Sequence, residues 1–368
     1  MPEVTALNKF QCPACGADAV WNPAKKALVC AYCGAVSPME LKSDGGVIEE
    51  SDLLAALKAL PQEKRGWAVE KKTVRCQNCN AISVFDAARV AQRCDFCGSP
   101  ALIAADDIAA PITPVGLLPF KVPDTKVRDD IRAWYGSHWF APGALGTKAL
   151  TDTLRGMYLP YWTFDAEVNA QWSAEAGYYY EVENDRGERV QQVRWENANG
   201  DVKNVFDDLL IPASKGVKAD LLARIEPFPT TKELKPYDPG YLSGWVVEQY
   251  QIDLPAAAQE SRQRMDGEME SLCVAQVPGD THRNLQVQAD YSGLTFKHVL
   301  LPVWLVTYNY GESNYQVIVN GYTGQIAGKY PLSWLKVGFA VFLGIILLMI
   351  LFSVFGGHHA VHTNYYYR

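Results

Sequence analysis

Residues 10–38, FQCPACGADAVWNPAKKALVCAYCGAVSP, contain four cysteines in the pattern Cys-x2-Cys-x14-Cys-x2-Cys. The pattern returns without a gap in residues 74–102, VRCQNCNAISVFDAARVAQRCDFCGSPAL, with every cysteine 64 positions after its counterpart. Four thiolates at this spacing can close on one ion as a tetrahedral site. The sequence therefore predicts two metal sites, with the ligand sets Cys12, Cys15, Cys30 and Cys33, and Cys76, Cys79, Cys94 and Cys97.

We interpret each module as a small zinc ribbon with rubredoxin-like knuckles, and we expect two Zn²⁺ per chain. Val20–Trp21 and Val84–Phe85 are predicted to be short strands between the knuckles, with the aromatic ring beside the metal. Four protein ligands leave no open coordination position, so both sites should be structural rather than catalytic. Iron remains an alternative metal, because rubredoxin-type sites use the same knuckles. The residues shared by the two modules indicate an internal duplication.

The 368 residues leave room for two or three domains, and 48% of them are hydrophobic. The net charge of −7 argues against a protein that coats nucleic acid, which is usually basic. The first residues lack the features of a secretory signal, so we expect a reducing compartment, in which paired Cys-x2-Cys units bind metals rather than form disulfides. The ninth cysteine, Cys273, is predicted to be a buried apolar residue.

A transmembrane helix is predicted over residues 337–355, VGFAVFLGIILLMILFSVF. These 19 residues carry no charge, and at about 1.5 Å per residue they approach the ~30 Å hydrocarbon core of a bilayer. Trp334 and Lys336 precede the segment, as interfacial anchors do. The alternative, a buried core helix, is disfavoured because the segment has no amphipathic stripe and little chain follows to cover it.

We expect this helix to be a single-pass C-terminal anchor in the cytoplasmic (inner) membrane, with the bulk of the chain in the cytoplasm. A C-terminal anchor is translated last, so the preceding chain should fold in the cytoplasm. Lys329 and Lys336 before the helix outnumber Arg368 after it, which agrees weakly with the positive-inside rule. The tail is interpreted as a polar segment at the membrane surface, with a shared metal site as the alternative. Its histidines are His358, His359 and His362.

Composition divides the chain into six segments. They are a first zinc ribbon (1–38), a helical linker (39–72), a second zinc ribbon (73–102), an aromatic-rich α+β domain (103–333), a transmembrane helix (334–356) and a short tail (357–368). The linker helix is expected to begin at an N-cap, Ser51, and to pack on one ribbon or join the two. Its apolar face is assigned to Leu53, Leu54, Leu57 and Leu60.

The α+β domain is predicted to alternate helices with strands. A helix from Asp124, a strand over 156–182, helices near 219–225 and 256–277, and a hairpin within 299–331 follow one another. The apolar side of the first helix is assigned to Val127, Ile131, Trp134, Tyr135 and Trp139. The hairpin region turns at Gly311–Asn314 and Gly321–Gly324.

A four-residue motif, Leu-Pro-x-Trp, recurs at Leu159–Trp162 and Leu301–Trp304, each time after a predicted helix and at the start of a strand. We hypothesise that the α+β domain consists of two related halves. The alternative is that proline merely begins each strand, where its missing N–H costs little.

We expect a non-enzymatic protein, and an enzyme whose site lies in the α+β domain is an alternative. The chain contains no G-x-x-x-x-G-K-[ST], H-E-x-x-H, G-x-S-x-G or G-x-G-x-x-G motif. His138, His282 and His298 are isolated and are predicted to be ordinary core or surface residues. No catalytic residue and no organic cofactor is assigned.

A modest excess of basic residues surrounds the second cysteine module. It consists of Lys64, Arg65, Lys71, Lys72, Arg75, Arg89 and Arg93, interspersed with acidic residues. Such a patch can face nucleic-acid phosphates or anionic lipid headgroups. Nucleic-acid binding therefore stays as the alternative to protein binding.

The chain resembles a bacterial family of membrane-anchored, TFIIB-type zinc-ribbon proteins. The resemblance rests on CPACG…CAYCG and CQNC…CDFCG, on LLPF before a helix and YLPYW after it, and on LLPVW…VNGYTGQIAGKYP before the membrane segment. Members are often labelled by likeness to the zinc region of the primosomal protein N′ (replication factor Y) helicase, but this chain lacks helicase motifs. The resemblance implies SPFH-domain (flotillin-like) partners and a role in membrane organisation or envelope stress. The expected function is thus a cytoplasm-facing adaptor or scaffold; the alternative is a membrane-tethered nucleic-acid-binding protein without helicase activity.

Overall fold

The computed structural model describes residues 10–37, 48–59, 71–77, 79, 81–86, 94, 96, 99, 102–104, 112–143, 154–184, 186–311 and 313–355. The first ribbon has its own antiparallel sheet with the strands in chain order. Its strands are β1 (Phe10–Gln11), β2 (Asp18–Asn22), β3 (Ala27–Cys30) and β4 (Val36–Ser37). The predicted strand at Val20–Trp21 is confirmed as the middle of β2.

The linker forms a short strand, β5 (Ser51–Asp52), followed by helix α1 (Leu53–Ala59). The predicted helix is present, but its cap is Asp52 rather than Ser51, because the Asp52 carboxylate accepts the N–H of Ala55 at 2.7 Å. Leu53 is buried and Leu57 half-buried against the α+β domain, while Leu54 is exposed. The expected packing on a ribbon is therefore wrong, and Leu60 lies outside the described residues.

The second ribbon is continuous with the sheet of the α+β domain. Its strands are β6 (Lys71–Cys76), β7 (Ile82–Asp86) and β8 (Leu102–Ala104), and β6 pairs with both others. β7 also pairs with a strand of the α+β domain, through Val84 opposite Val247 and Ser83 opposite Glu248. The two cysteine modules thus differ in their setting: the first has a separate sheet and the second shares one.

The α+β domain contains these helices and strands. They are β9 (Gly116–Leu117), α2 (Asp124–Ser137), β10 (Arg155–Glu183), β11 (Arg189–Pro212), α3 (Ala219–Ile225), α4 (Thr230–Glu233), β12 (Lys235–Pro236), a 3₁₀ turn (Pro239–Leu242), β13 (Val246–Glu248), α5 (Leu254–Val274), β14 (Thr281–Tyr310), β15 (Ser313–Asn320) and β16 (Ile326–Gly328). The predicted helices and the two hairpin turns are confirmed. Trp139 follows α2 and is 67% exposed, so its assignment to the apolar side of that helix is wrong.

Three long strands, β10, β11 and β14, form the central antiparallel ladder, with β10 in the middle. Helix α5 covers one face with side chains spaced three and four residues apart, as an amphipathic helix requires. They are Leu254, Ala257, Ser261, Met265, Met269 and Cys273, all buried. The expectation of a buried apolar Cys273 is confirmed, since its exposed fraction is 0%.

The two Leu-Pro-x-Trp motifs lie opposite each other in the ladder. Leu159 pairs with Leu301 across β10 and β14, so the motifs meet about a local two-fold centre. The prolines do not begin their strands, because β10 begins at Arg155 and β14 at Thr281.

Each proline is tolerated inside its strand by the same local arrangement. On one edge of β10 the pairing with β13 stops at Tyr158, and the pairing with β11 stops at Tyr161, opposite Pro212 at the end of β11. The carbonyl of Pro160 accepts the N–H of Ala213 at this junction, at 3.0 Å. The N–H and C=O of a strand residue point to the same edge. The position where proline lacks an N–H therefore faces the gap between β13 and β11.

The order of elements is the same on both sides of this centre. β9 runs parallel to β14 with Gly116 opposite Val299, and β13 runs parallel to β10 with Val246 opposite Met157. Val299 and Met157 each lie two residues before the leucine of their motif. A helix, α2 or α5, separates the short strand from the long one, and a hairpin strand, β11 or β15, follows the long one.

The last helix, α6 (Trp334–Phe355), is the one candidate membrane-spanning helix among the described residues. Residues 334–351 fulfil the length and composition requirements, and none of that stretch is buried inside the protein. The helix begins at Trp334, three residues before the predicted apolar segment. The histidine tail lies outside the described residues.

Candidate metal centres

The first four cysteines are brought together as predicted. Their sulfurs all lie within 4.8 Å of one another, with Cys12 to Cys33 and Cys15 to Cys30 both at 3.5 Å. A tetrahedral Zn²⁺ site with bonds of about 2.3 Å places its sulfurs about 3.8 Å apart, whereas a disulfide needs about 2.05 Å. The donor set therefore fits a closed four-thiolate metal site.

Both knuckles of the first site are closed by the backbone. The N–H of Cys12 donates to the carbonyl of Ala17 at 2.7 Å, and that of Cys30 to Ala35 at 2.9 Å. A glycine with φ of +73° follows the second cysteine of each knuckle, a conformation that residues with a Cβ adopt rarely. These glycines are Gly16 and Gly34.

The knuckle also favours the thiolate form of Cys30. The N–H of Cys33 lies 3.5 Å from the Cys30 sulfur, and this bond is the main cause that lowers the pKa of Cys30 to about 6. A thiolate is the form that binds a metal. The backbone of this knuckle thus favours the metal-binding form of one ligand, Cys30.

The second site is described for three of its four predicted ligands. Cys76, Cys79 and Cys94 lie together, with the sulfurs of Cys79 and Cys94 at 3.6 Å. Cys97 lies outside the described residues. Both knuckles have the closing bond of the first site, from Cys76 to the carbonyl of Ala81 at 2.9 Å and from Cys94 to that of Ser99 at 2.8 Å. The described part of this site thus follows the same design.

The first ribbon is attached to the α+β domain through Trp21. Its ring packs edge-on against Tyr241 at 4.7 Å between centroids, and its indole N–H donates to the carbonyl of Phe120 at 3.3 Å. Ser243 makes two hydrogen bonds with β2. Its hydroxyl donates to the carbonyl of Ala19, and its carbonyl accepts the N–H of Trp21. The sequence predicts the Trp21 ring beside the metal, but the ring packs against the α+β domain.

Replacing Trp21 with alanine should detach the first ribbon without releasing its metal. Trp21 is 5% exposed, and truncating a buried Trp costs about 3–5 kcal/mol. Native-state hydrogen exchange should show faster exchange in β2 and β3, with the metal content unchanged. The control is Tyr32→Ala in the same ribbon, a residue that is 86% exposed. Equal exchange rates in the two variants would contradict this attachment.

The second ribbon is attached through Phe96, which lies between two of its cysteines and is fully buried. Its carbonyl accepts the hydroxyl of Thr307 at 2.5 Å and the side-chain amide of Gln316 at 3.3 Å. A Cβ added at Gly216 would lie 2.6 Å from the Phe96 ring, so a residue without a side chain is needed there. The metal knuckle is therefore part of the core of the α+β domain.

A buried charge cluster, which the sequence did not reveal, joins the linker to the central ladder. The Lys297 ammonium lies 2.7 Å from the Asp208 carboxylate and 2.9 Å from that of Glu50. The hydroxyl of Thr295 lies within hydrogen-bond distance of both Glu50 and Asp165, at 2.8 and 2.9 Å. Burial opposes the charge on Lys297, but the two carboxylates outweigh it and raise its pKa. The two carboxylates are therefore paired with Lys297 and need no metal ion.

Among the histidines predicted to be ordinary, His298 is buried in the core. Its Nδ1 lies 2.7 Å from the carbonyl of Ile112, and its ring packs at 4.8 Å from Trp162 and 5.4 Å from Tyr250. Burial lowers the pKa of His298 from 6.5 to about 4. The folded protein thus holds this imidazole neutral.

Stability should decrease as the pH falls from 6.5 towards 4. In this window the unfolded chain binds a proton at His298 and the folded chain does not, which favours unfolding by up to about 1.4 kcal/mol per pH unit. Denaturant titrations across this range should show the wild type losing more stability than His298→Asn as the pH falls, because only the wild type has this titrating group. Parallel curves would show that His298 does not contribute.

The fold and the sites together define a class: a chain with two cysteine clusters that fit zinc ribbons, an α+β domain with a large sheet, and one candidate membrane-spanning helix. The chain is similar to the uncharacterized protein YdjG of Bacillus subtilis (strain 168), with 26% identity over 340 residues, 91% of this chain and 93% of that protein. The similarity therefore extends well beyond the cysteine modules. No protein-family model and no solved structure matches this chain.

Proposed function

We propose that the chain is a non-enzymatic adaptor, anchored in the inner membrane by α6, whose zinc ribbons present rigid surfaces to a partner protein in the cytoplasm. Zn²⁺ is the proposed metal in both sites, because a closed four-thiolate set is typical of structural zinc. The matching order of elements about Leu159 and Leu301 supports an origin of the α+β domain from two related halves.

The observation that carries the adaptor proposal is the position of Tyr32. It lies between Cys30 and Cys33, in a knuckle closed by the backbone, and is 86% exposed. Aromatic side chains held rigidly at the surface are typical anchors of protein interfaces, because little conformational entropy is lost on binding. Trp21 meanwhile fixes the ribbon to the domain, so the tyrosine is presented on a fixed body.

The proposed partner is an SPFH-domain (flotillin-like) membrane scaffold, and this choice rests on the family resemblance. The proposed role is membrane organisation or envelope stress. The alternative is a membrane-tethered nucleic-acid-binding protein, for which the exposed Arg75 in β6 offers one phosphate-binding cation.

The test is affinity purification of the full-length chain from native membranes in mild detergent, followed by mass spectrometry. Tyr32→Ala should reduce recovery of one membrane scaffold several-fold while the metal content is retained. The matched control is Tyr310→Ala, an exposed tyrosine of the α+β domain. Unchanged recovery in both variants would contradict the adaptor. Retention of nucleic acid that falls with salt and with Arg75→Ala would favour the alternative.

A further inference from the structure

We propose that five apolar side chains form one lipid-contacting surface, which seats the α+β domain in the headgroup region of the bilayer. We call this surface the collar. It consists of Trp139, Phe140, Leu332, Trp334 and Leu335. The inference deepens the proposed membrane anchor, on which it rests.

The collar is exposed although its members are large and apolar. Trp139 is 67% exposed, Leu332 49%, Trp334 80% and Leu335 88%, and Phe140 is also exposed. A group of such side chains that is left open to water marks a contact surface rather than ordinary surface composition.

Direct contacts join its two parts, which are almost 200 residues apart in the sequence. The N–H of Ser333 donates to the carbonyl of Phe140 at 2.8 Å. The Lys336 ammonium donates to the carbonyl of Ala141 at 2.8 Å and lies 5.8 Å from the centre of the Trp139 ring. The loop after α2 and the first turn of α6 are therefore one surface.

The loop is also fixed to the domain behind it. Trp134 in α2 packs edge-on against Tyr330 at 5.8 Å, and the His138 ring lies 4.4 Å from the same tyrosine. Ala141, at the end of the loop, is 3% exposed in the core that includes Val127 of α2. Trp139 and Phe140 thus project from a packed base.

The bilayer is the occupant that fits this surface. The collar is continuous with α6, whose stretch 334–351 has no buried residue. Tryptophan prefers the membrane–water interface, and Lys336 can keep its ammonium at the surface while its stem lies in apolar surroundings. With the collar in the interface, the domain has two attachments to the membrane, and its tilt against the bilayer is fixed.

Photocrosslinking of the full-length protein in phosphatidylcholine–phosphatidylglycerol vesicles tests the collar. A benzophenone amino acid would replace Trp139, Phe342 in α6, or Tyr180 near the tip of the β10–β11 hairpin. All three positions are exposed, so the substitutions should leave the metal content unchanged. Tyr180 lies 25 residues beyond Arg155 in β10, about 80 Å along an extended strand.

Lipid adducts are expected at positions 139 and 342, at least tenfold above the yield at 180. Adducts at 342 without adducts at 139 would overturn the collar and leave the anchor intact. A protein adduct at 139, to a second copy or another chain, would also overturn it. Failure at 342 would contradict the membrane anchor itself, and with it the collar.

Discussion

Replacing Cys94 with serine is expected to release one metal ion per chain and to destabilise the α+β domain, whereas Cys30→Ser should release one ion and unfold the first ribbon alone. The two sites have similar geometry, so the difference comes from their surroundings. β7 of the second ribbon pairs with β13, and the carbonyl of the buried Phe96 accepts the hydroxyl of Thr307 in β14. The first ribbon has a separate sheet and is docked through Trp21.

Structural Zn²⁺ contributes about 10–16 kcal/mol of apparent binding free energy in zinc-finger peptides at pH 7, so weaker binding after the loss of one thiolate is also a loss of folding free energy. We therefore expect Cys94→Ser to lower the free energy of unfolding of the α+β domain by at least about 3 kcal/mol. Metal analysis and hydrogen exchange of β10 and β14 measure the two effects. Cys273→Ala is the control that should keep both ions. Equal exchange in β14 for Cys30→Ser and Cys94→Ser would contradict the unequal integration of the ribbons.

Lys297→Met should be strongly destabilising, although Lys297 lies away from the metal sites. Asp208 has a side chain that is 1% exposed and an ion pair of 2.7 Å with Lys297. Removing the lysine leaves this carboxylate buried without its cation, which costs about 3–5 kcal/mol. The same change releases Glu50, so the linker strand β5 should exchange its amides faster.

The double variant Lys297→Met/Asp208→Asn separates the charge from the packing. It should recover most of the lost stability, since the fully buried carboxylate of Asp208 is replaced by a neutral amide, although Glu50 and Asp165 still lose the lysine. Denaturant unfolding in detergent measures both variants. A loss below about 1 kcal/mol in the single variant, or an equal loss in both, would contradict the buried ion pair.

Local patterns predicted the helices, strand β10 and the β14–β15 hairpin, but neither β11 (Arg189–Pro212) nor the first part of β14, which begins at Thr281. The spacing of Val127, Ile131 and Tyr135 predicted α2, and all three side chains are buried. The cysteine spacing predicted the four ligands of the first site and three described ligands of the second. These features depend on residues that are near one another in the sequence, and this proximity explains the success.

Features that depend on long-range pairing could not be predicted in this way. The pairing of Leu159 with Leu301 requires two strands to meet across 142 positions, and neither motif alone indicates a partner. Lys297 and Asp208 look like ordinary surface charges in the sequence, but Asp208 lies at the break in register near Asp165 and pairs with Lys297 in the interior. Asp208 has φ of +56°, a conformation that Asp tolerates better than most residues. No local sequence pattern predicts this conformation.

The metal content of the full-length wild-type protein tests the central claim most directly. Purification without added metal, followed by elemental analysis and an absorption spectrum, gives the number of ions per chain and their identity. Two closed four-thiolate sites predict two zinc ions per chain and no visible absorption. One ion or none would contradict the paired sites, and an iron–thiolate spectrum would contradict zinc.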